Sequence, residues 1–202
     1  MTDSANTTNL PTLDFFQGAM LYSAVGDALG WPTEYGYTYK NRGLKPFYEV
    51  PLAGFVEWRQ LYAGWSGYEE PVRAGEYSDD TQLTLAIARC ISVTGQIDAE
   101  RFAYEELPLW LQYQRGGGQT LKVAARLLLD REFVWNNNFY DTGGRLYTQA
   151  GANGAAMRNL PVALANAGDE HGIVKKSFVN AIVTHGLLGP TAQFTTFSAE
   201  SV

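Results

Sequence analysis

Cysteine is almost absent from this chain: Cys90 is the only one in 202 residues. Without a second thiol, neither a disulfide nor a thiolate metal cluster can form within it, and Cys90 reads as a core residue. Basic clusters are missing too. Fifteen Lys and Arg against 21 Asp and Glu give a formal net charge of -6, so nucleic-acid phosphates and anionic membrane surfaces are poor partners. No apolar run approaches bilayer length, and the start "MTDSANTTNLPT" lacks the basic-then-apolar order of a signal peptide. These absences point to a soluble, cytoplasmic protein. Persuasive period-two alternation, an internal repeat and a coiled-coil heptad are also lacking. Hydrophobic residues still make up 46%, enough for a real core in one domain or a large part of a bigger one.

What is present is helical periodicity. Residues 1–12 read as a flexible tail. "LDFFQGAMLYSAVGDALGWP" predicts a helix from about Leu13 to Leu29, with Gly18, Ala19, Ala24 and Gly26 letting a neighbour approach closely. Gly30 suits a left-handed cap and Pro32 stops continuation. Residues 36–75, rich in Gly, Tyr and Trp, read as a long irregular excursion of the kind that forms binding walls. Next comes "SDDTQLTLAIARC", where Leu83, Ala86, Ile87, Cys90 and Ile91 recur at helical spacing. Asp98 caps a further helix that Pro108 kinks or divides. "GGGQTLKVAARLLLDR" predicts a helix with Leu121, Ala124, Ala125 and Leu128 inward. "GANGAAMRNLPVALANAG" predicts another, interrupted near Pro161. "VKKSFVNAIVTHG" predicts a last one with Phe178, Ile182 and His185 in register. The stretch from 187 to 202 looks frayed. The fold class is all-α.

Several residues admit two readings. Asp79 and Asp80 are either the acidic first turn of a helix capped by Ser78 or oxygen ligands for a hard cation such as magnesium. Glu34 is either a solvated loop residue or a general base on a rigid helix exit. Asp27, among small residues, suits a hydrogen bond to a neighbouring helix start. His185 is either a favourable partner for a helix C-terminus or a site group with a tunable pKa. Asn153 and Gly154 begin a helix after a Gly-rich turn, where N–H groups either meet a phosphate or close an ordinary loop. Paired aspartates also serve terpene-synthase-like enzymes, but these need further acidic residues one turn on, and Thr81, Gln82, Leu83 and Thr84 follow here.

The succession "GAMLYSAVGDALGWPTE", "YSDDTQLTL", "GGGQTLKVAARLL", "GANGAAMRNLPVAL" and "AIVTHG" resembles the ADP-ribosylglycohydrolase family, from about Phe15 to Gly186. The resemblance implies a compact orthogonal helical domain over residues 13–186 with a central cleft. It implies a magnesium-dependent hydrolase that cleaves the glycosidic bond between ADP-ribose and a modified acceptor, with two Mg2+ ions in a complete member. By position, Ser78, Asp79 and Asp80 match metal ligands, and Glu34 matches the glutamate near the scissile bond, so that Glu34, Asp79 and Asp80 are the catalytic set. Asn153, Gly154, Met157 and His185 match the ADP-ribose channel. The partners implied are ADP-ribosylated proteins or other acceptors and ADP-ribose itself, with nucleic acid only as a modified substrate. Family members also carry a second acidic motif, Asp-x-Asp-Thr/Ser, near the C-terminus. Only Glu200 is acidic after His185, so the chain reads as C-terminally truncated, completed by another polypeptide, or a short protein that binds without cleaving.

Overall fold

Helix α2, Asp79–Arg89, sits at the centre of the molecule. Ser78 starts it: the serine Oγ accepts from the Asp80 N–H at 3.2 Å, satisfying one of the free donors of the first turn. Leu83, Ala86 and Ile87 are wholly buried. With Cys90 they meet Phe102, Leu107, Trp110, Leu121, Leu128, Val162 and Val183 in one core cluster. Burying each large apolar side chain there contributes roughly 1.5–3 kcal/mol. The computed structural model describes residues 12–34, 54–61, 69–131, 133–137, 140–142 and 145–186. The tail before Thr12, the stretch from 187 to 202 and much of the 36–75 excursion lie outside these.

Helix α1 spans Leu13–Glu34, longer than its sequence suggests. Gly30 does not end it, and Pro32 lies within its last turn. Burial outweighs the lost N–H: Trp31 and Pro32 are both buried, and Trp31 packs edge-on against Trp58 with ring centroids 5.1 Å apart. Thr33 Oγ1 donates to the Gly30 carbonyl at 2.6 Å. Glu34 is therefore the final residue of a helix rather than a loop residue beyond one. Among the described residues, the glycines of the small-residue face of α1 are not closely approached by a neighbouring helix. A Cβ at Gly18, Gly26 or Gly30 would meet nothing within 4 Å among the described residues.

The helical class holds, with two short antiparallel ribbons added. Strands β1, Trp58–Leu61, and β2, Glu69–Val72, pair antiparallel inside the stretch read as irregular, with Trp58 opposite Val72 and Leu61 opposite Glu69. Trp31, Trp58 and Val72 form a small satellite core that fastens this ribbon to the end of α1.

After α2, Asp98 caps α3, Ala99–Arg101, by accepting from the Arg101 N–H at 2.9 Å. The chain then passes through a π turn, Phe102–Glu106, into α4, Leu107–Trp110. The run is thus divided beside Pro108, as the sequence predicts, and the division is made by the π turn. The one-residue slip of the hydrogen-bond register places the proline's missing donor in a new first turn. Helix α5, Gln119–Leu129, buries Leu121, Ala124, Ala125 and Leu128, the face its periodicity predicts. A minor ribbon pairs β3, Asp141–Thr142, with β4, Arg145–Leu146. The "GANGAAMRNLPVALANAG" segment is interrupted near Pro161, as expected: a 3-10 turn at Asn153–Ala155 gives way to a separate helix α6, Leu160–Ala165, with Pro161 in its first turn. Helix α7, Glu170–Ile182, buries Ile173, Ser177, Asn180 and Ala181, whereas Phe178 is 44% exposed. The expected register for Phe178 was wrong because a polar demand governs the inward face. The wholly buried Arg158 donates two hydrogen bonds to Asn180, through its Oδ1 and its backbone carbonyl.

Candidate functional site

The site begins with Asp27, on α1. Its Oδ2 accepts from the Ser78 and Thr81 N–H groups, both at 3.0 Å, and from Thr81 Oγ1 at 2.6 Å. Its Oδ1 accepts from Ser78 Oγ at 2.6 Å. One carboxylate thereby fastens α1 to the start of α2, where free N–H groups and the helix dipole favour negative charge.

A pocket of about 270 Å³ opens beside this junction, with Glu34, Asp79 and Asp80 at one end. Burial, then the neighbouring Asp80 charge, pushes the Asp79 carboxyl up to about 7. Burial and Asp27 raise Asp80 to about 6. Glu34 keeps contact with solvent, yet the protein packed around its carboxyl, followed by Asp80 and Asp27, lifts it to about 7. Among the described residues, no Lys or Arg forms an ion pair with any of the three. Lys122 is near enough to feel the Asp79 charge but makes no ion pair with it, so this crowded acidic wall is a place that a bound cation or a transferable proton would relieve.

The opposite wall comes from two Gly-rich turns. Gly118, Gln119, Thr120 and Leu121 bring the start of α5 to the pocket, and Asn153, Gly154 and Met157 bring the turn before α6. Gly116, with φ +81°, closes over the acidic end, where a Cβ would lie 3.1 Å from Asp79 Oδ1 and 3.2 Å from Trp31 Nε1. His185 follows α7 and lines the same pocket while 97% buried, its residual exposure being 3%. Burial, then the charge of Arg158, holds its pKa down at about 3, so the imidazole is neutral. Its Nε2 has no hydrogen-bond partner among the described residues. A Cβ on Gly154 would come within 2.8 Å of the imidazole Cε1, so only glycine leaves the ring its place.

Seven residues singled out from sequence therefore face one cavity: Glu34, Asp79, Asp80, Asn153, Gly154, Met157 and His185. Ser78 stands behind the wall, with its hydroxyl committed to Asp27 and to the Asp80 N–H.

The sequence model of the ADP-ribosylglycohydrolase family matches residues 8–190. The chain belongs to the ADP-ribosylglycohydrolase family. It is similar to the ADP-ribosyl-[dinitrogen reductase] glycohydrolase of Rhodospirillum rubrum, 29% identical over 83% of this chain and 50% of that protein. It is likewise similar to an uncharacterized protein of Archaeoglobus fulgidus, 30% identical over 84% of this chain and 49% of that one. The chain thus spans about half the length of the curated relatives it matches.

ADP-ribosylglycohydrolases are typically metal-dependent, and the donor set here suits one hard cation. Magnesium takes one or two protein carboxylates and completes its shell with water and substrate oxygens; Asp79 and Asp80 are such a pair, without an ion pair among the described residues and facing a cavity. The fit does not extend to a second ion. Among the described residues, no group of three or more His, Cys, Asp or Glu is placed to hold a metal. No described helix is long and apolar enough to cross a membrane.

Gly116, Gln119, Thr120 and Ala152 also line the pocket and were not singled out from sequence. The signal available was the repetition of Gly-rich turns before two helices, which reads equally well as ordinary loop.

Proposed function

We propose that this ADP-ribosylglycohydrolase-family chain binds ADP-ribosyl groups in the pocket between α1, α2 and α5, and hydrolyses the bond between the ribose anomeric carbon and a nitrogen or oxygen of a modified acceptor, reversing ADP-ribosylation. The observation that carries this reading is the polarity of one cavity: three carboxylates with raised pKa at one end, and an unpartnered imidazole nitrogen with Gly-rich turns at the other. The acidic end suits ribose hydroxyls and the positive charge that develops on the sugar. The other suits acceptor oxygens of the ligand.

Glu34, with its carboxyl near 7, is divided between acid and base at neutral pH, which is the condition for general acid–base work. Its role is to take a proton from the attacking water as the water oxygen bonds to the anomeric carbon and the glycosidic bond breaks. That proton then passes to the departing acceptor. Asp79 and Asp80 hold the ribose side and are the residues that would carry magnesium, while Ser78 behind them fixes the helix start. When bound, magnesium supplies Lewis-acid anchoring of sugar hydroxyls. Asn153, Gly154, Met157 and His185 position the rest of ADP-ribose, so that the reacting carbon is held against the carboxylates.

The test is mass-spectrometric detection of free ADP-ribose released from a panel of modified proteins and small acceptors, with added magnesium. Asp79→Ala with Asp80→Ala should abolish release and metal binding while the fold survives. Undiminished turnover in that double variant refutes the mechanism. A second reading is favoured by the absence of a three-ligand metal cluster among the described residues: the chain binds ADP-ribose, or a partner, without cleaving. Calorimetric binding of ADP-ribose with no release from any competent substrate selects it.

A further inference from the structure

Arg158 is wholly buried, and no carboxylate pairs with it among the described residues. A buried cation without an anion is costly, so its contacts matter. Its Nε donates to Asn180 Oδ1 at 2.8 Å, Nη1 to the Gly154 carbonyl at 2.9 Å, and Nη2 to the Asn180 carbonyl at 2.7 Å and Thr184 Oγ1 at 2.8 Å. The Phe102 ring lies 4.9 Å from the guanidinium carbon. Two of these contacts lead toward the pocket. Gly154 is its wall, and Thr184 Oγ1 stands 2.7 Å from Nδ1 of His185.

The direction of that last bond follows from counting protons. The Thr184 hydroxyl accepts the Arg158 N–H, which an arginine can only donate. Its own proton has one acceptor in reach among the described residues, His185 Nδ1. An imidazole that accepts at Nδ1 and is neutral carries its hydrogen on Nε2. That nitrogen is the unpartnered one, buried at the pocket wall against Gly154. We infer that Arg158 and Thr184 are positioning residues: the guanidinium orients the threonine hydroxyl to donate to Nδ1, which fixes His185 as the Nε2–H tautomer and presents a single N–H donor to an acceptor oxygen of the bound ligand. An arginine that only stapled the Gly154 turn to α7 would leave the tautomer indifferent to Thr184. The ligand half of this inference rests on the ADP-ribose reading of the pocket; the tautomer half does not.

The experiment is long-range 1H–15N NMR of the two imidazoles in the ligand-free full chain, with His171→Gln assigning the His185 signals. The wild type should show the Nε2–H tautomer. Thr184→Val, which removes the hydroxyl at nearly constant shape, should convert His185 to a mixture of tautomers, whereas Thr184→Ser should retain Nε2–H. Thr184→Ala replaces the valine variant if that does not fold. A wild-type Nδ1–H tautomer, or an unchanged tautomer without the hydroxyl, overturns the inference. Calorimetry with ADP-ribose then reads the consequence: about a tenfold loss of affinity in Thr184→Val, as for one hydrogen bond, restored in Thr184→Ser. A fixed Nε2–H tautomer in a protein that binds no ADP-ribose would overturn the functional reading while upholding the roles of Arg158 and Thr184.

Discussion

Asp79→Asn should make the metal-free protein more stable in alkaline buffer, although it removes a group assigned to the chemistry. The wild-type carboxyl is held at about 7, against an ordinary 3.8. The folded state therefore keeps a proton that the unfolded chain releases at lower pH. The sign follows directly. Below about pH 4 both states are protonated and nothing is lost; as pH rises, the folded state falls behind, and the deficit is complete above about pH 7. At 1.36 kcal/mol per pH unit the full deficit is at most ~4 kcal/mol. Coupling to Asp80 and Glu34, local relaxation and the favourable helix dipole remove about half. Asparagine keeps the shape and polarity without the charge, so the gain at pH 8 should be ~2 kcal/mol, or ~4–8 °C in Tm. At pH 5 it should be well under half of that. Urea unfolding in the presence of a chelator, at both pH values, measures it. A variant no more stable than wild type at pH 8, or one whose gain does not grow between pH 5 and pH 8, refutes the picture of Asp79 as a buried charge that its surroundings disfavour.

Magnesium should act on the same deficit. At about a hundred times its Kd it should raise the wild-type melting temperature by ~5–10 °C at pH 8 and by much less at pH 5, where the carboxyls are protonated; scanning calorimetry reads both. Gly154→Ala should displace the His185 ring and weaken ADP-ribose binding by tenfold or more in calorimetry, at a stability cost of ~1–3 kcal/mol from overpacking. Asp27→Ala strands the Ser78 and Thr81 N–H donors and should cost ~2–4 kcal/mol in urea unfolding. It should also lower activity, because α2 loses its anchor on α1.

The parts of this fold legible in the sequence are those with a local cause. Helix α5 shows an apolar stripe, and its four predicted inward residues are the four buried ones. Helix α2 advertises its start in Ser78 and its buried side in Leu83, Ala86 and Ile87. Asp27 was recognisable as a partner for a helix start because a carboxylate among small residues needs donors. The parts that were hidden depend on distant contacts. Helix α1 runs through Gly30 and Pro32 because Trp31 finds Trp58 some thirty residues away. The β1–β2 ribbon consists of four-residue strands, one containing Pro71, too short to display alternation. On α7 the apolar residue Phe178 misled, since the inward face is ordered by a buried arginine on another segment. At the site, the paired aspartates carried a signal of their own, while Gly116 became meaningful only once its neighbours Asp79 and Trp31 were known.

The pocket draws its walls from positions 34, 79–80, 116–121, 152–157 and 185, so no single stretch of chain contains even half of it. Such a cavity exists only when these distant segments are brought together by the tertiary fold. Binding of the proposed ligand would therefore report on the tertiary arrangement of several distant segments at once.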